Sequence, residues 1–408
     1  MTENVQDRDE RSTSDVRLTS WMADVLPERV PTRVLEEAFA RTGNARQLRR
    51  WPWVRLLPGH RSPLASRAQL AILGASLIIV SLAAIALSGG VPRPTPSPTP
   101  LPSPSRPAAV AVVPVGSVGV LGPFGIATDG TSVWVLGGSG VVSRIDSASG
   151  VLTATTTLSP PTDEYQAIAA AGGGVWVSDW TTGRVVRLDP SSLTVVATVA
   201  VGQAPKGIVV DSTGVWVALT RGGAVVRIDP STNVIATSIP VGLAGPEGPN
   251  WLASRAGALW VGVPNSQSVY EIDEARGSVT ATIPVPSPAV PCGGLAVGVS
   301  AVWVTSCDNT QALARIDPTT LSASILALDG LAYAVTIVNG RPWFATHTGQ
   351  IPAMTIEAAN DTAAAIVAAL VVTGGGPEAG DMVAAAGSIW LVDTPGNRIL
   401  RLPIAAFQ

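Results

Sequence analysis

From residue 109 onward, short apolar runs alternate with tight polar turns. The stretch 205–242 shows the unit most clearly, with runs at 207–211, 215–218, 224–228 and 234–241, all rich in Val, Ile and Ala or Trp. Asp-Ser-Thr-Gly, Thr-Arg-Gly-Gly and Asp-Pro-Ser-Thr separate them. Runs of this length bounded by Gly, Pro, Asp and Ser predict β-strands joined by turns. Four in about 40 residues predict one small antiparallel sheet, and a period of that length predicts an array of such sheets.

The unit recurs. A strand centred on tryptophan carries Trp134, Trp176, Trp216, Trp260, Trp303, Trp343 and Trp390, at intervals of 42, 40, 44, 43, 40 and 47 residues. A second signature follows five of them, as RIDSASG from Arg144, RLDPSSL from Arg187, RIDPSTN from Arg227, EIDEARG from Glu271 and RIDPTTL from Arg315. Its Asp nucleates the turn between third and fourth strands. The last copy, 382–403, has three strands only, while an orphan strand at 109–116, AVAVVPVG, matches the fourth-strand pattern of 194–202. These features predict an all-β, seven-bladed β-propeller closed by its N-terminal strand, an arrangement that leaves short, protected edges. The repeated tryptophans are read as packing between blades.

The preceding residues have a different character. Residues 1–68 are polar and Arg-rich, and 70–87 read LAILGASLIIVSLAAIAL without a charge. That run is long enough to predict a transmembrane helix within 69–90. Arginines crowd before it, which predicts a cytoplasmic N-terminus and a single-pass cell-membrane protein with an extracytoplasmic propeller. A late signal peptide is disfavoured by the long region ahead of the run. Residues 91–108 are a Pro/Ser/Thr linker expected to extend as polyproline II. The propeller region carries 12 basic against 20 acidic residues, a net of −8. That balance argues against nucleic acid as a partner.

Propeller topology puts the loops joining second to third strands on the same face as those joining one blade to the next. On that face Trp180, Asp179, Arg221, Glu247 and Asp308 are the candidate ligand-binding residues. Lys206, Asn250, Trp251, Asp381 and Asp393 belong to the same wider polar set. Trp180 stands out because a loop-tip Trp has no blade to pack in; the alternative is that it covers a neighbouring loop. His347, the single His after residue 108, is a weak catalytic candidate. No resident cofactor is expected and no metal ligands are assigned. A Ca²⁺ or Mg²⁺ site would need several oxygens from residues such as Glu247, Asp308, Asp381 or Asp393 to converge. Cys292 and Cys307, the only cysteines, fall on one face of one blade in an oxidising compartment, which predicts a disulfide; two unpaired buried thiols are the alternative.

The repeat PKGIVVDSTGVWVA followed by VVRIDPSTN and an ATSIPVG strand resembles the YVTN-type and streptogramin (virginiamycin B) lyase-like seven-bladed propellers, over about 300 residues. The resemblance implies the fold. It also implies one activity, since lyases of that family cleave a cyclic peptide lactone with Mg²⁺, using His and Glu on the channel face. With one His in the propeller region, a two-His, two-Glu set is not matched here. Three readings follow: a membrane-tethered, monomeric propeller that binds a protein, peptide or glycan through its loop face; a metal-assisted lyase or lactone hydrolase using His347 and at least two carboxylates; and a sensory ectodomain coupled to residues 1–68. The first requires no catalytic constellation and is the primary expectation.

Overall fold

The computed structural model describes residues 111–113, 122–159, 165–306, 310–347, 353–360, 366–373, 379–394 and 396–407. The chain divides into two units, 1–95 and 96–408, and every described residue lies in the second. The predicted span at 69–90, the linker and the N-terminal segment therefore lie outside the described residues. Among those described, no helix is long and apolar enough to cross a membrane.

Seven four-stranded antiparallel sheets follow one another along the chain. They span 123–157, 165–200, 205–240, 252–284, 295–327 and 331–373 for blades one to six. Blade seven combines 379–403 with the strand Ala111–Val113. That strand pairs antiparallel with Arg398–Pro403, matching Ala111 with Arg401 and Val113 with Ile399. The predicted ring closure is thus realised, with the N-terminal strand as the outermost strand of the last blade.

The core is seven apolar seams, one between each pair of successive blades. Trp134 faces blade two with Ile168, Val175 and Val177. Trp176 packs against Val215 and Val217, and Trp216 against Leu259 and Val261. Trp260, Trp303 and Trp343 repeat the arrangement at the next three seams. Trp390 closes the ring against Val133 and Val135 of blade one, joined by Val113. All seven tryptophans are 4 % exposed or less, which bears out their reading as packing. A blade is apolar on both faces because both faces meet a neighbour, so its strands read as nearly continuous runs of Val, Ile and Ala.

The second signature has a role the sequence did not disclose. Arg144, Arg187, Arg227, Arg315 and Arg401 stand directly across the strand pair from Trp134, Trp176, Trp216, Trp303 and Trp390. The guanidinium of Arg187 lies 4.9 Å from the Trp176 ring centroid, and that of Arg401 lies 5.1 Å from Trp390. Arg144 Nη1 then donates to the carbonyl of Pro190 in blade two (2.7 Å), and Arg187 Nη1 to that of Pro230 in blade three (2.6 Å). The Asp of the signature accepts backbone N–H groups of its own turn, as Asp189 does from Ser191 and Ser192 and Asp229 from Ser231. The Asp-Pro turn thus nucleates one blade's hairpin and presents a carbonyl to the preceding blade's Arg.

Hydroxyls at or just past the ends of second strands tie each to the chain entering, or the first residues of, the next blade's inner strand. Ser178 Oγ donates to the Lys206 carbonyl (2.7 Å), Thr220 Oγ1 to that of Pro249 (2.7 Å) and Thr394 Oγ1 to that of Pro123 (2.7 Å).

The clamp yields a direct expectation. Arg187→Met removes charged hydrogen bonds to Pro230 and Asn233 and the stack on Trp176; chemical denaturation should show a loss of about 2–3 kcal/mol. An unchanged denaturation midpoint would mean that the seam is held by apolar contact alone.

Candidate functional site

On the face formed by the second-to-third-strand loops and the blade-to-blade connections, the sequence candidates separate into two groups. Asp179 ends the strand Gly174–Asp179 and is fully buried. Its carboxylate accepts from Arg184 Nε (2.9 Å) and from Thr182 Oγ1 (2.6 Å) within its own hairpin. Asp393 repeats this in blade seven, accepting from Arg398 Nε at 2.7 Å and from Gly396 N. These carboxylates brace loops. Trp180 and Arg221 come together instead, from the loops of adjacent blades, with the Arg221 guanidinium 5.3 Å from the Trp180 ring centroid. Arg221 is exposed and Trp180 half-buried. Glu247 is exposed, and its backbone carbonyl accepts from Asn265 N at 2.8 Å. Asp308 lies outside the described residues.

A second cation–Trp pair sits on the inner strands. Lys206 occupies a register shift between Pro205 and Ile208, where the inner strand of blade three bulges. Its Nζ lies 5.7 Å from the ring centroid of Trp251, immediately before the inner strand Leu252–Arg255 of blade four. Such contacts stabilise by about 0.5–2 kcal/mol. Burial holds the Lys206 amine below the usual lysine value, because desolvation disfavours the charged form.

Register explains why Trp251 is unusual. Ile126, Ile168, Ile208, Leu252, Leu295, Val335 and Met382 each pair with the residue after the blade's tryptophan. The residue before that position is Gly125, Ala167, Gly207, Trp251, Gly294, Ala334 and Asp381 in blades one to seven. The site is tight: a Cβ on Gly207 would meet the Asn250 carbonyl oxygen at 2.5 Å. Only Trp251 and Asp381 put more than a methyl group there. Burial pushes the Asp381 carboxyl up to about 7, against the lowering effect of the Met382 and Ile126 backbone N–H groups. Asp381 is thus a proton-holding group near neutral pH.

The opposite face holds a cluster that sequence reasoning missed. Asp211, in a turn of blade three, meets Glu274 and Ser254 of blade four. Ser254 Oγ lies 2.5 Å from Asp211 Oδ2 and 2.6 Å from Glu274 Oε1. One hydroxyl hydrogen serves only one of these contacts, so the other requires a protonated carboxyl. Thr213 Oγ1 donates to Asp211 Oδ1 (2.6 Å) and accepts from Trp216 Nε1 (2.9 Å). Burial and then the Asp211 charge raise Glu274, outweighing the lowering effect of its hydrogen bond with Ser254. Burial alone would raise Asp211, but hydrogen bonds from Ser254 and Thr213 hold it low. Glu274 therefore keeps the proton, donates to Ser254, and Ser254 donates to Asp211. The signal was present in EIDEARG, the one signature copy with Glu where the usual pattern has Pro.

His347 ends the strand Arg341–His347 and is 7 % exposed. In the same blade Glu357, paired across the strands with Phe344, accepts from Thr346 Oγ1 (2.8 Å) and is raised by burial. Among the described residues no three His, Cys, Asp or Glu side chains form a metal-holding group. Cys292 is 5 % exposed before the inner strand of blade five. Cys307 lies outside the described residues, and their pairing stays an expectation.

The fold defines the chain as a seven-bladed β-propeller. No protein-family model matches it, and no curated protein matches it. Its solved structural neighbours include streptogramin-type lyases. The virginiamycin B lyase from Staphylococcus aureus is 18 % identical, with a TM-score of 0.60 over 72 % of this chain and 98 % of that one. A streptogramin B lyase is 19 % identical, with a TM-score of 0.61 over 72 % of this chain and 96 % of that one. U3-55K reaches a TM-score of 0.60 at 10 % identity, over 73 % of this chain and 100 % of that one. Likeness at these identities is a likeness of fold.

The carboxyl pair gives a pH dependence with a definite sign. Glu274 is raised in the folded chain, so folding binds its proton and stability falls as pH rises above the unfolded value, about 4.3. Glu274→Gln keeps a hydrogen-bond donor without the charge. Its melting temperature should exceed that of the parent by about 1–3 °C at pH 8 and match it near pH 4. An equal loss at both pH values would contradict the shared proton.

Proposed function

We propose that the protein is a binding propeller whose loop face over blades two to four receives a protein, peptide or glycan ligand. The observation that carries this reading is the pair of cation–Trp contacts on that face, Arg221 with Trp180 and Lys206 with Trp251. Trp and Arg are enriched where binding energy concentrates. Here they stand on a domain whose net charge is negative, while Asp179, the nearest carboxylate in sequence to Trp180, is engaged by Arg184.

A lyase reading rests on the solved neighbours. For this chain it requires His347 and at least two carboxylates in one site, with Mg²⁺ or Ca²⁺ as the ion. Hydrolysis or elimination of a cyclic peptide lactone by the full-length chain with Mg²⁺, lost in His347→Ala, would establish it. A sensory role for the ectodomain would need a separate partner for residues 1–68.

The same reading places the chain in the cell membrane through 69–90, with the propeller outside and a Cys292–Cys307 bridge in blade five. Protease added to intact cells should then remove the propeller and spare residues 1–68. The released propeller should carry the bridge on non-reducing mass spectrometry. Protection of the propeller from protease would reverse the orientation.

The loop face itself is tested by presenting the full-length chain to glycan and peptide arrays. Trp180→Ala with Arg221→Ala should weaken any retained ligand by about tenfold or more. Retained affinity in the double variant would move the binding surface elsewhere.

A further inference from the structure

The geometry points to Lys206 and Trp251 as a receptor for a carboxylate carried on a flat apolar body, the acid pairing with the amine and the body lying against the indole. This inference deepens the loop-face reading and rests on it.

Four observations carry it. Lys206 is the only lysine in the chain, whereas the other basic residues are arginines. Among the described residues its Nζ makes no hydrogen bond and no ion pair. Its described charge-stabilising contact is instead an aromatic face, with the ring centroid 5.7 Å away. Finally, Trp251 occupies a register position that five other blades fill with Gly or Ala.

An amine held against an indole and partly withdrawn from water has lost hydration without gaining a counter-ion. An arriving carboxylate restores the missing charge partner at short range. Apart from the exposed Glu247, the described carboxylates near this face are committed. Asp179 pairs with Arg184 and Asp393 with Arg398, while burial raises Asp381 to about 7, which favours its neutral form below that pH. A cation with no ion pair among the described residues, in an acidic domain, is suited to an external acid. The indole beside it, half-buried against the core between blades two and three, gives the reason for an apolar body rather than a small hydrated anion. Carboxylate binding favours the ammonium form, so it raises the Lys206 pKa and draws a proton from solvent.

The single lysine makes the test direct. Reductive ¹³C-methylation of the full-length chain labels Lys206 and the N-terminal amine alone, so the Lys206 resonance is read without assignment of the rest. Titration with 1-naphthoate should shift that resonance and raise the pKa it reports, with about tenfold weaker response in Trp251→Leu. Inorganic phosphate should shift it only weakly, and 1-naphthalenemethanol, which has the body without the charge, should not shift it. No response to naphthoate at about 10 mM, where even a weak site would fill, overturns the inference, as does an equal response to the neutral alcohol.

The array experiment separates this inference from the loop-face reading. Array binding that survives Lys206→Met but is lost in the Trp180/Arg221 double variant removes the carboxylate site and leaves the loop face standing. A naphthoate response as expected, with no array ligand sensitive to Trp180 and Arg221, supports the carboxylate site and removes the wider loop-face reading.

Discussion

Everything in this propeller depends on the closure of its ring at the seam between blades seven and one. Each blade is apolar on both faces, so each needs a neighbour on both sides. A linear array of seven such sheets would expose two apolar faces; the ring exposes none. The seam is made by Trp390 and Val392 of blade seven against Val133 and Val135 of blade one, with Val113 from the N-terminal strand in the same cluster. Closure therefore couples the first described strand to the last, across nearly the whole length of the domain. It is also what brings the inner strands to one axis, and with them Lys206, Trp251 and Asp381.

The seams use one device repeatedly. A tryptophan packs on the next blade, an arginine stacks on that tryptophan, and in blades one and two the arginine reaches a prolyl carbonyl of the next blade's turn. Apolar burial supplies the magnitude, and the charged hydrogen bond sets the angle between neighbouring sheets. Where the signature changes, the chemistry changes. Blade four has Glu271 in place of the arginine and Glu274 in place of the proline, and there a carboxyl–hydroxyl–carboxylate chain joins the blades instead.

The fold was legible because its determinants are local and repeated: the Val-Trp-Val strands, the Asp turns and the orphan N-terminal strand all declare themselves in a single dimension. The candidate site was legible only in part. Topology put Trp180 and Arg221 on one face, and the structure stacks them. It could not show that Asp179 turns inward to Arg184, because an Asp at a strand end looks the same whether it braces its own loop or faces a ligand. Lys206, Trp251 and Asp381 were visible as polar or aromatic residues on that face. Their significance lies in register, which requires aligning seven inner strands at the residue level. The Asp211–Glu274 pair joins residues 63 positions apart; the departure of EIDEARG from the Asp-Pro pattern marks Glu274 but does not name its partner.

Chemically, the two faces of the ring differ. The loop face presents cations over indoles, with Asp179 and Asp393 turned inward to arginines of their own hairpins. The opposite face holds a carboxyl pair that shares a proton across a seam.

Native-state hydrogen exchange of the full-length chain tests the closure most directly. A closed ring predicts that amides of Ala111–Val113 exchange through the same high-energy opening as those of Arg398–Pro403 and the tryptophan strands, since the terminal strand cannot leave without opening blade seven. Exchange of Ala111–Val113 at rates typical of a free chain end, with blades one to six still protected, would contradict a ring held shut by its first strand.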